Sequence, residues 1–123
     1  MDTKKEVLKL GNVSIIRDWG YAPLYVEAMW RMMQHESPSD YVLATGQDHS
    51  IADFLDAAFS AVGLDWKRYV RSDAKYVRPN EVQHLVGDAS KANAILGWTP
   101  KTSFTELVNL MIRHDVAIAG TDL

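Results

Sequence analysis

The stretch from residue 40 to residue 63 most restricts how this chain can fold, because an apolar run is followed closely by a capped amphipathic pattern. The run DYVLAT (40–45) lies between a proline and a glycine, as a buried strand would. Ser50 is followed three residues later by Asp53, and apolar residues then recur at helical spacing until Gly63 ends the pattern. A strand followed by a helix predicts a fold that contains both kinds of element.

Shorter runs elsewhere favour further extended segments. Val7–Leu10 and Val13–Ile16 are β-prone and flank Gly11-Asn12, a pair typical of a tight connection. DWKRYV (65–70) is predicted to form a turn of helix, and KYV (75–77) a short extended piece.

A helix is predicted to begin at Pro23, which suits a first helical turn because its missing N–H costs nothing there. It ends near His35, before a Ser-Pro pair that cannot continue it. Apolar residues recur through it at spacings of three and four, and this period predicts that Trp30 lies in the core.

Two more helices are predicted toward the end of the chain. Asp88 caps a short one that Gly97 ends, and Ser103 with Glu106 forms a capping box for the last. Trp98 is predicted to pack just after the end of the short helix. The whole pattern predicts one small, helix-rich α/β (α+β) domain with a few short strands.

The composition excludes several functional classes. Lys and Arg total 13 against 16 Asp and Glu, with no basic cluster, so nucleic-acid binding is not expected. The chain has no cysteine, which excludes disulfides and thiolate metal sites. No apolar stretch has the length of a membrane span, and the charged start lacks the apolar region of a signal peptide, so a cytoplasmic location is predicted.

The motifs of self-contained catalysis are missing from the sequence. Its glycines never form G-x-G-x-x-G or a phosphate loop, and no tyrosine is followed four residues later by lysine. The four histidines do not have the spacing of metal ligands, so no metal site is predicted. On the residues alone, no cofactor-binding or catalytic residue is assigned.

Two arginines are candidates for binding an anion. Arg17 ends the second predicted strand just before a glycine and a helix, and Arg78 precedes a proline that stiffens its backbone. Two guanidinium groups that converge on a diphosphate would form a clamp of parallel hydrogen bonds. Local surface ion pairs, Arg17 with Asp18 and Arg78 with Glu81, are the alternative.

One aromatic residue near Arg17 is also open to two interpretations. Trp19 stands beside a glycine in the loop that follows Arg17. In that place its ring could form the floor of a pocket or fill one.

Several motifs together resemble the GDP-mannose 4,6-dehydratase family of extended short-chain dehydrogenases/reductases. The motifs occur in that family's order and at about its spacing, and the likeness runs from about Leu10 to Asp115. They are LGN (10–12), RDWGYAPLYVEAMW (17–30), DYVLATG (40–46), RPNEV (78–82) and GDASKANAILGWTPKTSF (87–104).

The resemblance implies a two-part enzyme, with a Rossmann half that holds NADP and a smaller half that holds the nucleotide sugar. The family reaction converts GDP-mannose to GDP-4-keto-6-deoxymannose, the precursor of GDP-fucose and GDP-rhamnose, and makes the family NADP-dependent lyases. Its cofactor and catalytic motifs belong to the N-terminal part, whereas this chain resembles only the last third.

The resemblance also implies roles for individual residues. Arg17 and Arg78 match family arginines that bind the nucleotide diphosphate, and Glu81 matches a glutamate that accepts hydrogen bonds from the nucleotide's sugar hydroxyls. Asn12 matches a structural or pocket-edge residue of the LGN motif.

Two positions depart from the family pattern. Leu24 and Gln83 stand where acidic residues are usual. These departures are expected to alter local salt bridges or oligomer contacts without touching the diphosphate site.

Two functional hypotheses follow. In the first, the chain is a substrate-binding segment for GDP-mannose or GDP that has no turnover alone and works detached or with a separate Rossmann-domain chain. In the second, it is a non-catalytic binding or self-association module, or a gene remnant that has kept no ligand. Without a Rossmann half, apolar surface and sheet edges would be uncovered, so a homodimer or higher oligomer is expected.

Overall fold

The computed structural model describes residues 6–121, in which short strands lie between and before the helices, and the predicted fold class is confirmed. The helices are α1 (Ala22–Gln34), α2 (Ile51–Ser60), α3 (Ser90–Leu96) and α4 (Phe104–Thr121). The strands are β1 (Leu8–Leu10), β2 (Ile16–Arg17), β3 (His49–Ser50), β4 (Val70–Ser72) and β5 (His84–Leu85). Short 3-10 turns cover Trp66–Arg68 and Ala74–Tyr76.

The strands form two small sheets. β1 pairs with β4 in parallel, with Leu8 opposite Val70. In the other sheet β2 is central, antiparallel to β3 and parallel to β5. Arg17, the last residue of β2, therefore lies between His49 on one side and Leu85 on the other.

The two strands predicted near the start of the chain lie in different sheets. β1 agrees with the prediction, but the second strand begins only at Ile16, so the prediction of a strand over residues 13–15 is wrong. The carbonyls of Val13 and Ile15 instead accept hydrogen bonds from the backbone N–H groups of Ala52 and Ile51, at the start of α2. These carbonyls thus serve the first turn of a helix instead of a sheet.

The predicted cap of α2 by Ser50 and the predicted capping box of α4 are both confirmed, and the cap of α2 is also a full capping box. At α2, Asp53 N–H donates to Ser50 Oγ at 3.0 Å and Ser50 N–H donates to Asp53 Oδ2 at 2.7 Å. At α4, Ser103 N–H donates to Glu106 Oε2 at 2.7 Å and Glu106 N–H donates to Ser103 Oγ at 3.2 Å. Each box satisfies two backbone donors that the first turn of a helix leaves without a partner.

The short helix α3 begins one residue later than a direct cap by Asp88 would place it. Ala89 is its N-cap residue, and Asp88 accepts a hydrogen bond from the Ser90 N–H at 2.9 Å. Gly97 ends the helix with φ of 63°, a left-handed conformation that glycine adopts without steric cost. The predicted end of the helix is therefore confirmed.

Trp98 is the centre of a first core cluster between α1 and α3. It is 1% exposed, and its Nε1 donates to the carbonyl of Leu24 at 2.7 Å. The ring of Tyr25 meets it edge-on, with centroids 5.4 Å apart, while Ala28 and Ala92 let the helices approach closely. The prediction that Trp98 packs after a helix end is confirmed.

Trp19 belongs to a second core cluster, between α2 and α4. Its ring stacks on Phe54 with centroids 5.0 Å apart, and its Nε1 donates to the carbonyl of His49 at 3.3 Å. Phe104 and Val108 of α4 complete the cluster. Trp19 also lines a cavity of about 150 Å³ together with His49 and Phe104, so its ring both packs in the core and borders a pocket.

Two predicted extended segments are wrong. Residues 40–45 belong to no strand in the described part of the chain, and the N–H groups of Thr45 and Gly46 donate to the carboxylate of Asp18. Residues 74–76 form a 3-10 turn, because Asp73 accepts the N–H of Lys75 at 3.0 Å. In both places a side-chain carboxylate satisfies backbone donors that a strand would have paired with a neighbour.

The prediction that Trp30 lies in the core is also wrong, because its side chain is 62% exposed. α1 packs on α3 through the side that carries Leu24 and Ala28, and Trp30 lies on the other side. Helical periodicity identifies an apolar side, but it does not say whether another element covers that side.

Candidate functional site

Arg17 is held in place by two parts of the chain. Its Nη1 donates to the carbonyl of Ile16 at 2.7 Å and to that of Val82 at 2.8 Å. Its Nη2 donates to Glu81 Oε1 at 3.3 Å, and the Arg17 and Glu81 side chains are 28% and 26% exposed. The guanidinium is therefore fixed in a partly buried position at the end of β2.

Arg17 keeps donors for a further partner. A guanidinium has five N–H groups, and the three hydrogen bonds of Arg17 use both on Nη1 and one on Nη2. Within residues 6–121, Nε–H and the second Nη2 hydrogen have no acceptor. These donors lie in the plane of the guanidinium and can bind an oxyanion.

Arg78 lies in the same segment as Glu81 and has an exposed side chain. In the described part of the chain it makes no ion pair and no hydrogen bond. It is thus a free cation three positions before the carboxylate that Arg17 contacts.

The predicted local ion pairs are not formed. Arg17 pairs with Glu81, although its neighbour Asp18 is adjacent in sequence, and Glu81 pairs with Arg17 although Arg78 is closer in the chain. The reason is that Val82 O and Glu81 approach Arg17 from β5's side of the sheet, whereas the Asp18 carboxylate points to the loop at 45–46.

Asn12 has a local role in the structure. Its Oδ1 accepts hydrogen bonds from Ser14 N–H at 2.9 Å and from Ser14 Oγ at 2.6 Å. This is a turn closed by the Asn side chain. Of the four predicted site residues, the structure therefore brings Arg17 and Glu81 into contact, places Arg78 in the same segment, and uses Asn12 in a turn.

Asp18 is a site residue that the sequence reasoning missed except as a partner for Arg17. Its Oδ1 accepts from Thr45 N–H at 2.8 Å and Thr45 Oγ1 at 2.7 Å. Its Oδ2 accepts from Gly46 N–H at 2.9 Å and Gly87 N–H at 3.3 Å. One carboxylate thus ties the end of β2 to two loops, and no local sequence pattern signals this because its partners are 27 to 69 positions away.

These hydrogen bonds also shift the ionisation of Asp18. Burial raises the pKa of Asp18, but the hydrogen bonds from Thr45, Gly46 and Gly87 together outweigh burial and leave its pKa below the ordinary value. Nearby, burial raises the pKa of Tyr25 and the negative charge of Asp18 raises it further. At neutral pH the site therefore contains an ionised Asp18 and a protonated Tyr25.

A cavity of about 280 Å³ opens beside Arg17. Its charged lining residues are Arg17 and Asp18, and the rest of its wall is largely apolar, with Tyr25, Val42, Leu43, Leu85 and Val86. A shallow apolar wall beside a fixed guanidinium suits one part of a ligand that carries both an anionic and a less polar group.

The two positions that depart from the family pattern have structural contacts of their own. Leu24 packs against the first core cluster. Gln83 Nε2 donates to Ser14 O at 3.3 Å and to Ser14 Oγ at 3.1 Å. A carboxylate could not donate these hydrogen bonds, so Gln83 fits the contacts that it makes.

The N-terminus of α1 does not fit the pyrophosphate of a dinucleotide cofactor such as NADP. In dinucleotide sites a strand leads through a glycine turn into a helix whose first N–H groups face the phosphates. Here β2 leads through Gly20 into α1, but the Tyr25 ring covers Gly20 so closely that a Cβ there would lie 2.0 Å from the Tyr25 hydroxyl. The Tyr25 ring thus covers the glycine turn that the phosphates approach in such sites.

Across residues 6–121, no group of three or more His, Asp or Glu side chains is arranged to hold a metal ion. No helix within that range has the length and apolar character that crossing a membrane requires.

Comparison with known proteins gives a consistent family match. The family model for GDP-mannose 4,6 dehydratase matches residues 1–111. The chain is 53% identical over 112 residues to GDP-mannose 4,6 dehydratase 1 of Arabidopsis thaliana. The aligned region covers 91% of this chain and 31% of that protein. It is 48% identical over 130 residues to the Drosophila melanogaster GDP-mannose 4,6 dehydratase, covering 92% of this chain and 33% of that protein.

The human protein extends this pattern, and solved structures show the same fold. GDP-mannose 4,6 dehydratase of Homo sapiens is 40% identical over 134 residues, covering 95% of this chain and 36% of that protein. The chain thus spans about a third of the length of the curated relatives it matches.

UDP-glucose 4-epimerase of Thermotoga maritima, solved with UDP-glucose, superposes with a TM-score of 0.80 at 21% identity, covering 94% of this chain and 37% of that one. RMD of Pseudomonas aeruginosa, solved with NADPH, superposes with a TM-score of 0.77 at 16% identity, covering 90% and 36%.

Proposed function

The chain belongs to the GDP-mannose 4,6-dehydratase family, and on that premise we propose that it binds the diphosphate of GDP-mannose or GDP through Arg17 and Arg78. In this role it is the substrate-binding part of the family architecture. The members of the family that it matches are named for action on GDP-mannose, which is the source of the proposed ligand.

The observation that carries the proposal is the state of the Arg17 guanidinium. Hydrogen bonds to Ile16 and Val82 carbonyls fix it beside a cavity, while two of its N–H groups have no acceptor in the described residues. A cation that is already oriented loses little conformational freedom when it binds a phosphate, so this arrangement favours binding.

Arg78 and Glu81 are proposed to complete the site. Arg78 would supply a second cation to the diphosphate, because its exposed guanidinium has no partner within residues 6–121. Glu81, already oriented by Arg17 at 3.3 Å, would accept hydrogen bonds from ribose hydroxyls with its second oxygen.

The binding is expected to be weak. A cavity of about 280 Å³ is smaller than the roughly 300–1,000 Å³ typical of sites that enclose a small ligand. The chain would therefore contact the diphosphate and one side of the adjoining groups and leave the rest of the ligand in solvent. A dissociation constant between micromolar and millimolar is expected.

We propose no turnover by this chain alone. The family reaction needs a cofactor site and a Tyr-Lys pair, and neither motif occurs in the sequence. The role of these residues is to bind and orient a nucleotide sugar, and catalysis would require the NADP-binding Rossmann half of the family architecture.

Isothermal titration calorimetry with GDP, GDP-mannose and pyrophosphate tests the proposal. Arg17→Ala and Arg78→Ala are each expected to weaken GDP binding by about tenfold or more, since each removes a charge-assisted contact. Arg71→Ala is the matched control, because Arg71 also donates two hydrogen bonds to carbonyls, those of Lys67 and Val70, but lies on β4 in the other sheet. Its GDP affinity is expected to equal that of the unmodified chain.

Three results would contradict these proposals. Absence of heat at millimolar GDP, with the chain folded by circular dichroism, would favour a module that has kept no ligand. Equal losses in Arg17→Ala and Arg71→Ala would mean that the arginines support the backbone and not a ligand. Formation of the 4-keto product from GDP-mannose and NADP by the purified chain would overturn the claim that it lacks turnover.

A second candidate function, a self-association module, is favoured by a different observation. Several large apolar side chains on α1 are exposed, and apolar side chains do not bind a diphosphate. The two functions are compatible.

A further inference from the structure

Four side chains on α1, Val26, Met29, Trp30 and Met33, form an apolar stripe that the rest of the described chain leaves uncovered. Their exposed fractions are 63%, 54%, 62% and 81%. They recur at i, i+3, i+4 and i+7, so they lie along one side of the helix. We call these four residues the α1 stripe.

The other side of α1 is already buried in the first core cluster. Ala28 is fully buried there, and Leu24 packs against Trp98 from the same side. α1 therefore has two apolar sides, of which the fold uses one.

The area of the α1 stripe is unusual for a surface without a partner. Side chains of this size and exposure together present on the order of 500 Å² of apolar surface, near the upper end of the largest patch on a typical monomer. If a second copy covered it with its own stripe, on the order of 1,000 Å² would be buried, which reaches the size of a specific interface.

A groove beside the stripe adds to this surface. A cavity of about 380 Å³ lies between α1 and α3, lined by Trp30 and Gln34 on one side and by Ile95 and Leu96 on the other. Ile95 is 44% exposed, so the apolar surface continues from the stripe onto α3.

The charges at the edge of the stripe do not oppose association. Glu27 and Arg31 form an ion pair at 2.7 Å, and Arg31 also donates to the carbonyls of Leu96 and Gly97. Because the pair is neutral, two copies can approach without repulsion between like charges at this edge.

The spacing of the stripe makes it self-complementary. When two copies of α1 pack antiparallel about a twofold axis that passes between positions 29 and 30, Val26 lies opposite Met33 of the second copy. Met29 then lies opposite Trp30 of the second copy. Every stripe residue therefore meets an apolar partner, which is the requirement of a twofold interface.

We propose that the α1 stripe is a self-association surface on which a second copy of the chain packs its own α1 antiparallel. The dimer is expected to be weak, with a dissociation constant in the micromolar range, because the interface is at the small end of specific ones.

Sedimentation velocity across roughly 1–300 μM protein tests the proposal, over a range chosen to bracket a micromolar association. The unmodified chain should shift from monomer to dimer, and Val26→Glu/Met33→Glu should lower the association constant by about tenfold or more. The single variant Val26→Glu has a matched control in Val116→Glu, which makes the same substitution on α4. Val116 is 53% exposed, so it can accept a charge as Val26 can. Val26→Glu should weaken association, and Val116→Glu should leave it unchanged.

Disulfide trapping tests the antiparallel arrangement, because the chain has no native cysteine. A mixture of the single variants Val26→Cys and Met33→Cys should form a mixed disulfide faster than either variant alone. In the proposed dimer, positions 26 and 33 face each other, whereas the two copies of position 26 are about 10 Å apart along the axis.

Three outcomes would overturn the proposal. A monomer over the whole concentration range would leave the stripe to a different polypeptide as occupant. Association that Val116→Glu abolishes and Val26→Glu/Met33→Glu does not would place the interface elsewhere. Faster trapping by Val26→Cys alone would reject the antiparallel pairing. These outcomes do not depend on GDP binding, so failure here and failure of the proposed diphosphate site are distinguishable.

Discussion

The guanidinium of Arg17 and the carboxylate of Glu81 meet at 3.3 Å although 64 positions separate them in the chain. The contact joins the end of β2 to the segment that precedes β5, and both side chains are about three-quarters buried. The same pair therefore holds two parts of the fold together and forms the charged part of the proposed site.

This relationship predicts the effect of removing the negative charge. Glu81→Gln should strengthen binding of pyrophosphate by about two- to fivefold, because a partly exposed ion pair of this kind is worth up to about 1 kcal/mol of competition for Arg17. Calorimetric titration with pyrophosphate measures the change, and pyrophosphate has no ribose that would depend on Glu81. Unchanged or weaker binding would show that Arg17 does not contact the anion.

Asp18→Asn should destabilise the fold by on the order of 2 kcal/mol at neutral pH. The amide places an NH₂ group where one carboxylate oxygen accepted hydrogen bonds, so the N–H groups of Thr45, Gly46 and Gly87 lose part of their acceptor set. Urea unfolding measures the difference, and Asp56→Asn, an exposed change on α2, should stay within about 0.5 kcal/mol of the unmodified chain. Similar losses in both variants would argue against a special role for Asp18.

The decrease of the unfolding free energy at acidic pH should also depend on Asp18. Because the fold holds the pKa of Asp18 below its ordinary value of 3.8, the carboxylate stabilises the folded state above that pH. That contribution is lost as the pH falls through the depressed pKa. Asp53 and Glu106 behave alike, since backbone hydrogen bonds of their capping boxes lower the pKa of each. Asp18→Asn should therefore make the fall in unfolding free energy below about pH 4 shallower but not remove it, and an unchanged slope would contradict this.

Gly20→Ala should destabilise the chain by about 1–3 kcal/mol. A Cβ at position 20 would lie 2.0 Å from the Tyr25 hydroxyl, and the Tyr25 ring cannot easily move because it packs edge-on against Trp98. In a Tyr25→Ala background the same change should cost much less, and the double-mutant cycle measures this coupling. Gly120→Ala is the control, since no atom lies within 4 Å of the added Cβ, and it should be neutral or stabilising. Additive losses at positions 20 and 25 would reject the steric explanation.

Two tryptophans test which apolar residues form the core. Trp98→Phe should cost about 1–3 kcal/mol, because it leaves a cavity and removes the hydrogen bond to the Leu24 carbonyl. Trp30→Phe, measured at concentrations where the chain is monomeric, should change stability by less than about 0.5 kcal/mol because the side chain is 62% exposed. Chemical denaturation of the two variants gives the comparison, and equal losses would place Trp30 in the core after all.

The features that depend on near neighbours could be predicted from the residue types. Both capping boxes link residues three positions apart, so the residue types alone predicted where α2 and α4 begin. The end of α3 at Gly97 likewise depends on one residue and its backbone conformation. The position of Arg17 at the end of a strand was also predicted, although the residues that pair with that strand were not.

The contacts that join distant parts of the chain are visible only in the folded structure. Arg17 selects Glu81 and not its neighbour Asp18, and Asp18 satisfies backbone donors in two loops. Trp98 is buried while Trp30 is exposed, although both lie in apolar patterns. The physical reason is that hydrogen-bond partners and burial depend on which segments the folded backbone brings together, and local spacing carries no information about segments tens of residues away.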